Sequence, residues 1–67
     1  MDLRYLTTED LVTGKEAAAI AGVREPTIRQ WATRGKLHRF PGRRRREGTM
    51  YARPEVEAEV ARRQAAA

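Results

Sequence analysis

Between residues 34 and 46 the chain carries Arg34, Lys36, Arg39, Arg43, Arg44, Arg45 and Arg46 and no acidic side chain. The 67-residue chain has a net charge of +5, and residues 1–23 and 47–67 are each slightly acidic, so the positive charge is concentrated in this one stretch. Guanidinium groups at this density favour one chemistry, forked hydrogen bonding to anionic oxygens. A focused basic patch also attracts a polyanion far better than scattered charge does. The competing reading is a solvated loop, which binding could order. Other chemistries lack their residues. Cys is absent, which removes disulfides, zinc ribbons and thiol catalysis and suits a reducing cytoplasm. His38 is the single histidine, which disfavours a His-based metal site or a Ser-His-Asp triad. The chain therefore reads as a non-enzyme with no catalytic residue, metal or cofactor. No apolar run approaches membrane-spanning length and no secretory signal is visible, so a cytoplasmic location and no membrane partner are expected.

Those cations need a scaffold, and the length allows one domain. Hydrophobic residues make up 40%, but eleven of them are Ala, which leaves one thin core and little for a substrate pocket. Residues 1–10 form an N-terminal segment, with Tyr5 and Leu6 expected over the core edge and Thr8-Glu9-Asp10 as a turn. Thr13-Gly14-Lys15-Glu16 is a capping box, and Ala17 to Ala21 propagate a helix that Gly22 ends. A second helix opens near Pro26, aided by Glu25 at its positive end, and stops at Gly35. Leu37 to Phe40 reads as extended, Pro41-Gly42 as a turn, and Thr49 to Tyr51 as the returning strand of a hairpin with a charged tip. Pro54 opens a third helix that buries Val56 and Val60, with Glu59 and Arg63 as a surface pair. Ala65 to Ala67 are expected to fray.

The packing of small residues then has a reason. Two helices crossing at roughly 90–120° need small side chains where they meet. Ala17, Ala18 and Ala21 permit that approach, Gly22 makes the turn, Val23 plugs the corner, and Ile28 and Trp31 close the core. An antiparallel helical hairpin would also use Ala and Gly, but the joint pattern is more demanding and selects a helix-turn-helix over 13–35. With a wing over 37–52 and a third helix over 54–64, the domain spans 11–64. The fold class is mainly α with a small β-hairpin.

Thr13-x-x-Glu16-Ala17-Ala18, Gly22-Val23, Thr27-Ile28-Arg29-x-Trp31, Arg34-Gly35-Lys36-Leu37, Tyr51 and Val56 resemble MerR-like winged helix-turn-helix domains. Within that group the chain is most similar to small phage and plasmid excisionases, or recombination directionality factors. The resemblance covers about residues 11 to 62. It implies a recognition helix in the major groove and a β-hairpin wing reaching the adjacent minor groove or backbone. Two departures stand out: Arg24-Glu25-Pro26 where such domains usually place Ser, Thr or Asn, and an unusually arginine-rich wing. Full MerR regulators continue into a dimerisation helix and an effector domain, so no small-molecule effector is expected here.

On that frame the recognition-helix residues expected at DNA are Arg24, Pro26, Thr27, Arg29, Gln30, Thr33 and Arg34. Arg29 can bridge guanine O6 and N7, and Gln30 can bridge adenine N6 and N7. Thr27 bonds a phosphate or caps locally, while Thr33 and Arg34 touch backbone more than bases. The wing contributes Lys36, His38, Arg39 and Arg43 to Arg46, the last four entering an A·T-rich minor groove or contacting phosphates. Trp31 and Tyr51 are core residues. The expected function is sequence-specific binding and bending of duplex attachment-site DNA in aid of an integrase. Alternatives are a small transcriptional regulator or phage repressor of the same fold, and an RNA-binding or protein-interaction adaptor. Without heptads after Val60 the free protein is expected to be a monomer. Copies then bind direct repeats cooperatively and head to tail, the acidic third helix of one near the basic wing of the next.

Overall fold

The computed structural model describes residues 10–42 and 48–66. The expectations for Tyr5, Leu6, Thr8, Glu9, Ala67 and the Arg43–Arg46 tip thus fall outside the described residues. Strand β1 (Leu11–Thr13) leads directly into helix α1 (Gly14–Ala21), which is followed by α2 (Glu25–Thr33), β2 (Arg39–Pro41), β3 (Thr49–Ala52) and α3 (Arg53–Ala66). Three helices and a small antiparallel sheet make a winged helix-turn-helix.

Helix α1 begins where a side chain can satisfy its orphan donors. Glu16 N–H donates to Thr13 Oγ1 at 3.1 Å, and Thr13 N–H donates to Glu16 Oε1 at 3.0 Å, completing the capping box. It ends at Gly22, whose φ of 71° lies in the left-handed region. There the Val23 N–H reaches the Ala18 carbonyl at 3.0 Å. The same device stops α2: Gly35 has φ 80°, and Lys36 N–H reaches the Trp31 carbonyl at 2.9 Å. At its start α2 has no such help. Arg24 occupies the N-cap without a side-chain hydrogen bond, and Pro26 in the first turn pre-sets the backbone instead.

The sheet is larger than the expected hairpin. Its order is β1-β3-β2, so β3 lies between the wing strand β2 and the strand preceding α1. Val12, Tyr51 and Arg39 are opposite one another across the three strands. Strand β2 also starts later than expected, because Leu37 is buried in the core and the chain becomes a strand only at Arg39, continuing through Pro41. Gly42 N–H donates to the Gly48 carbonyl at 2.8 Å and closes the base of the loop.

One core joins these elements: Val12, Ala17, Ala18, Ile28, Trp31, Ala32, Leu37, Tyr51 and Val56, flanked by Ala21, Val23 and Val60. Ala17 and Ile28 have no exposed surface, which is the close helix approach that small residues allow. Helix α3 (Arg53–Ala66) starts one residue before Pro54 and extends two residues beyond 64. Alanine is the best helix former, so Ala65 and Ala66 continue the helix. Glu59 is a second correction. Its side chain is only 3% exposed, so its pairing with Arg63 (2.8 Å to Nε) and Arg62 is not a surface pair. Arg63 reaches it because its guanidinium lies over the Trp31 ring, 4.4 Å from the centroid.

Candidate nucleic-acid interface

Helix α2 buries Ile28, Trp31 and Ala32, and this leaves Glu25, Pro26, Arg29, Gln30 and Thr33 exposed on the opposite side. Thr27 is half-buried, and its N–H is taken by the Arg24 carbonyl at 3.0 Å. Arg24 and Arg34 are exposed at the two ends of the helix.

The wing strand is tied to this face through one hydroxyl. Arg39 Nη2 donates to Thr33 Oγ1 at 2.8 Å, and the same hydroxyl donates to the Arg29 carbonyl at 2.9 Å. Register explains the reach. Arg39 stands opposite Tyr51, so its side chain leaves the sheet on the face that packs against the helices. Arg29 and Arg39 thereby line one cleft between α2 and the sheet, together with Gly14, Glu25, Gly48, Thr49 and Tyr51. Two guanidiniums with unspent donors in one recess can grip a phosphate in forked geometry or reach a base edge.

Lys36 and His38 do not join that cleft. Lys36 lines a separate groove with Glu55, Ala58 and Arg62 on α3. His38 is anchored to the same helix: its N–H donates to Glu55 Oε1 at 3.0 Å, and its Nδ1 lies 2.6 Å from Glu55 Oε2. The imidazole is 62% exposed while the carboxylate is 10% exposed, so the histidine caps a nearly buried acid and turns its far edge to solvent. The expected wing set therefore divides. Arg39 faces α2, Lys36 and His38 face α3, and Arg43 to Arg46 lie outside the described residues.

Three residues were missed from sequence. Glu25 had a signal, since it precedes Arg29 by four and must share its face. Thr49 and Glu55 had none, because their neighbours come from other elements. The acidic surface expected on α3 is also corrected. Glu55 and Glu59 turn inward and are satisfied there, which leaves Glu57 as the exposed acid among the described residues of the helix.

A family model described as a helix-turn-helix domain matches residues 11–63. The chain belongs to this family. Membership agrees with the geometry, since the match begins at β1 and ends within α3, taking in the sheet, α1, α2 and most of α3. A helix-turn-helix domain implies binding to double-stranded DNA, and exposed Arg29 on α2 with Arg24 and Arg34 at its ends is consistent with it. No curated protein and no solved structure is significantly similar to the chain. Among the described residues, no helix is long and apolar enough to cross a membrane.

Proposed function

We propose that the protein is a MerR-like recombination directionality factor, which binds and bends attachment-site DNA so that an integrase can assemble on it. The observation that carries this reading is the shared cleft. Arg29 on the recognition helix and Arg39 on the wing strand line one recess, and Arg39 is tied to the helix through the Thr33 hydroxyl, which supports helix and wing engaging one duplex together. In this reading α2 enters the major groove, with Arg29 and Gln30 at base edges and Arg24, Pro26, Thr27, Thr33 and Arg34 along its ends and flank. Arg39 and Arg43 to Arg46 follow the backbone into the adjacent minor groove. Lys36 and His38, set against α3, act at the margin of the interface.

One short helix reads few base pairs, so several copies along a duplex supply the affinity. We propose a free monomer and cooperative occupation of direct repeats. Charge does not set α3 of one copy against the wing of the next, because two of its three glutamates are buried.

Gel-shift titration and footprinting on synthetic duplexes carrying direct or inverted repeats test the assembly. Contact with roughly six to eight phosphates gives log K against log salt a slope of about −5 to −7. Reconstituted excision with a candidate integrase and its attachment sites tests the role. Stimulated excision supports it. DNA binding without that effect, accompanied by repression of a nearby promoter, replaces it with a transcriptional regulator.

A further inference from the structure

Glu25 is an acid on the face that meets a polyanion. It is the first residue of α2, it is exposed, and it lines the cleft with Arg29 and Arg39. Arg29 stands one turn further along the helix, yet no ion pair or hydrogen bond takes up the Glu25 carboxylate among the described residues. In the free protein its charge is offset by the positive end of the helix dipole. Against a duplex it is repelled by every nearby phosphate, and a hydrogen-bond donor on the DNA is needed to offset that repulsion.

Few base edges supply such a donor. In the major groove guanine presents O6 and N7 and thymine presents O4, all acceptors that a carboxylate avoids. Adenine offers its N6 amine beside the acceptor N7. Cytosine offers its N4 amine with no acceptor of its own alongside, and it is the base that a carboxylate reads best. The N-terminal residues of a recognition helix are those that approach base edges in the helix-turn-helix docking mode. Resting on the reading of this domain as a sequence-specific DNA binder, we propose that Glu25 is a specificity-determining residue. It accepts a hydrogen bond from a cytosine N4 amine and repels duplexes that lack one at that position. Specificity then comes from a cost imposed on wrong sites as much as from a contact with the right one.

Selection from a pool of duplexes with a randomised 20-base-pair core, using wild type, Glu25→Ala and Glu25→Gln, tests this. Wild type enriches cytosine at one position, and changing that base pair weakens binding by roughly 5- to 150-fold. Both variants lose the cytosine preference, Gln shifting it toward adenine, and both bind an unselected duplex several-fold more tightly than wild type. Circular dichroism establishes that the variants are folded. Retention of the same preferred base at every position by Glu25→Ala overturns the proposal. Failure of wild type to enrich any sequence is a different result, which overturns sequence-specific reading itself.

Discussion

Removing the Thr33 hydroxyl isolates how wing and recognition helix are coupled. In Thr33→Val the volume and branching at the site are kept, but Arg39 loses its acceptor at 2.8 Å and the Arg29 carbonyl loses a donor at 2.9 Å. Both bonds are exposed, so the folded state loses little, within about 0.5 kcal/mol. The effect falls on binding. An arginine side chain carries about 2 kcal/mol of rotamer entropy, and immobilising such a chain at an interface costs about 0.5–1.5 kcal/mol. Thr33 fixes the far end of Arg39 in advance and so spares part of that cost. We expect Thr33→Val to weaken DNA binding by about 0.5–1 kcal/mol, or two- to fivefold, with the salt slope unchanged because no cation is lost. Arg39→Ala lowers the slope by about 0.9. In that background the Thr33→Val effect vanishes, because the two residues act as one device. Fluorescence anisotropy titrations at four salt concentrations measure all four corners of the cycle. An equal loss from Thr33→Val with and without Arg39 refutes the coupling and makes Thr33 an independent contact.

Glu59→Ala should lower stability by about 2 kcal/mol in urea titrations followed by Trp31 fluorescence. It falls short of the roughly 3–5 kcal/mol of a broken buried pair because Arg63 and Arg62 remain 45% and 62% exposed and keep their water; a loss under 0.5 kcal/mol contradicts the buried assignment. Arg29→Ala should lose roughly 1–3 kcal/mol on the selected site and less on random DNA, measured by competition gel shift, whereas equal losses on both would make Arg29 a phosphate contact. Glu16 adds a pH dependence. The Thr13 N–H and then the Thr13 hydroxyl hold its carboxyl below the ordinary value of 4.5. The folded-state pKa is depressed, so the stabilisation is present above 4.5 and lost as pH falls through the lower folded value. Thermal melts of Glu16→Gln should therefore converge on wild type in acid, and parallel curves from pH 7 to 2.5 would show that the cap carries no charge-dependent stability.

Features that depend on a few neighbouring residues were legible in the amino-acid order. The Thr13–Glu16 capping box, the left-handed turn at Gly22, the stop at Gly35 and the burial of Ile28 and Trp31 all follow from spacings of one to nine residues. Local backbone geometry and helical period fix what those spacings can do. The exposed placement of Arg29 and Gln30 follows from the same period. The site as an assembled object does not. Arg39 meets Thr33 because β2 pairs with β3 in one register, and a shift of one residue would have sent its side chain to the other face of the sheet. His38 meets Glu55 across seventeen positions of sequence, and that contact moved His38 and Lys36 away from the cleft that Arg39 lines. Strand β1 was unreadable for a related reason: three residues have no β period of their own, and they are a strand because β3 offers its free edge. Charge was misread where burial decided its role. Glu59 precedes Arg63 by four on any helix, but the burial of Glu59 and the seat of Arg63 over Trp31 come from the docking of α3 on the core. Composition determined that the chain would seek a polyanion, and the chain's local order determined that it would present a helix. Which cations stand together was left to tertiary contact, because strand register and helix docking are set by the whole core at once.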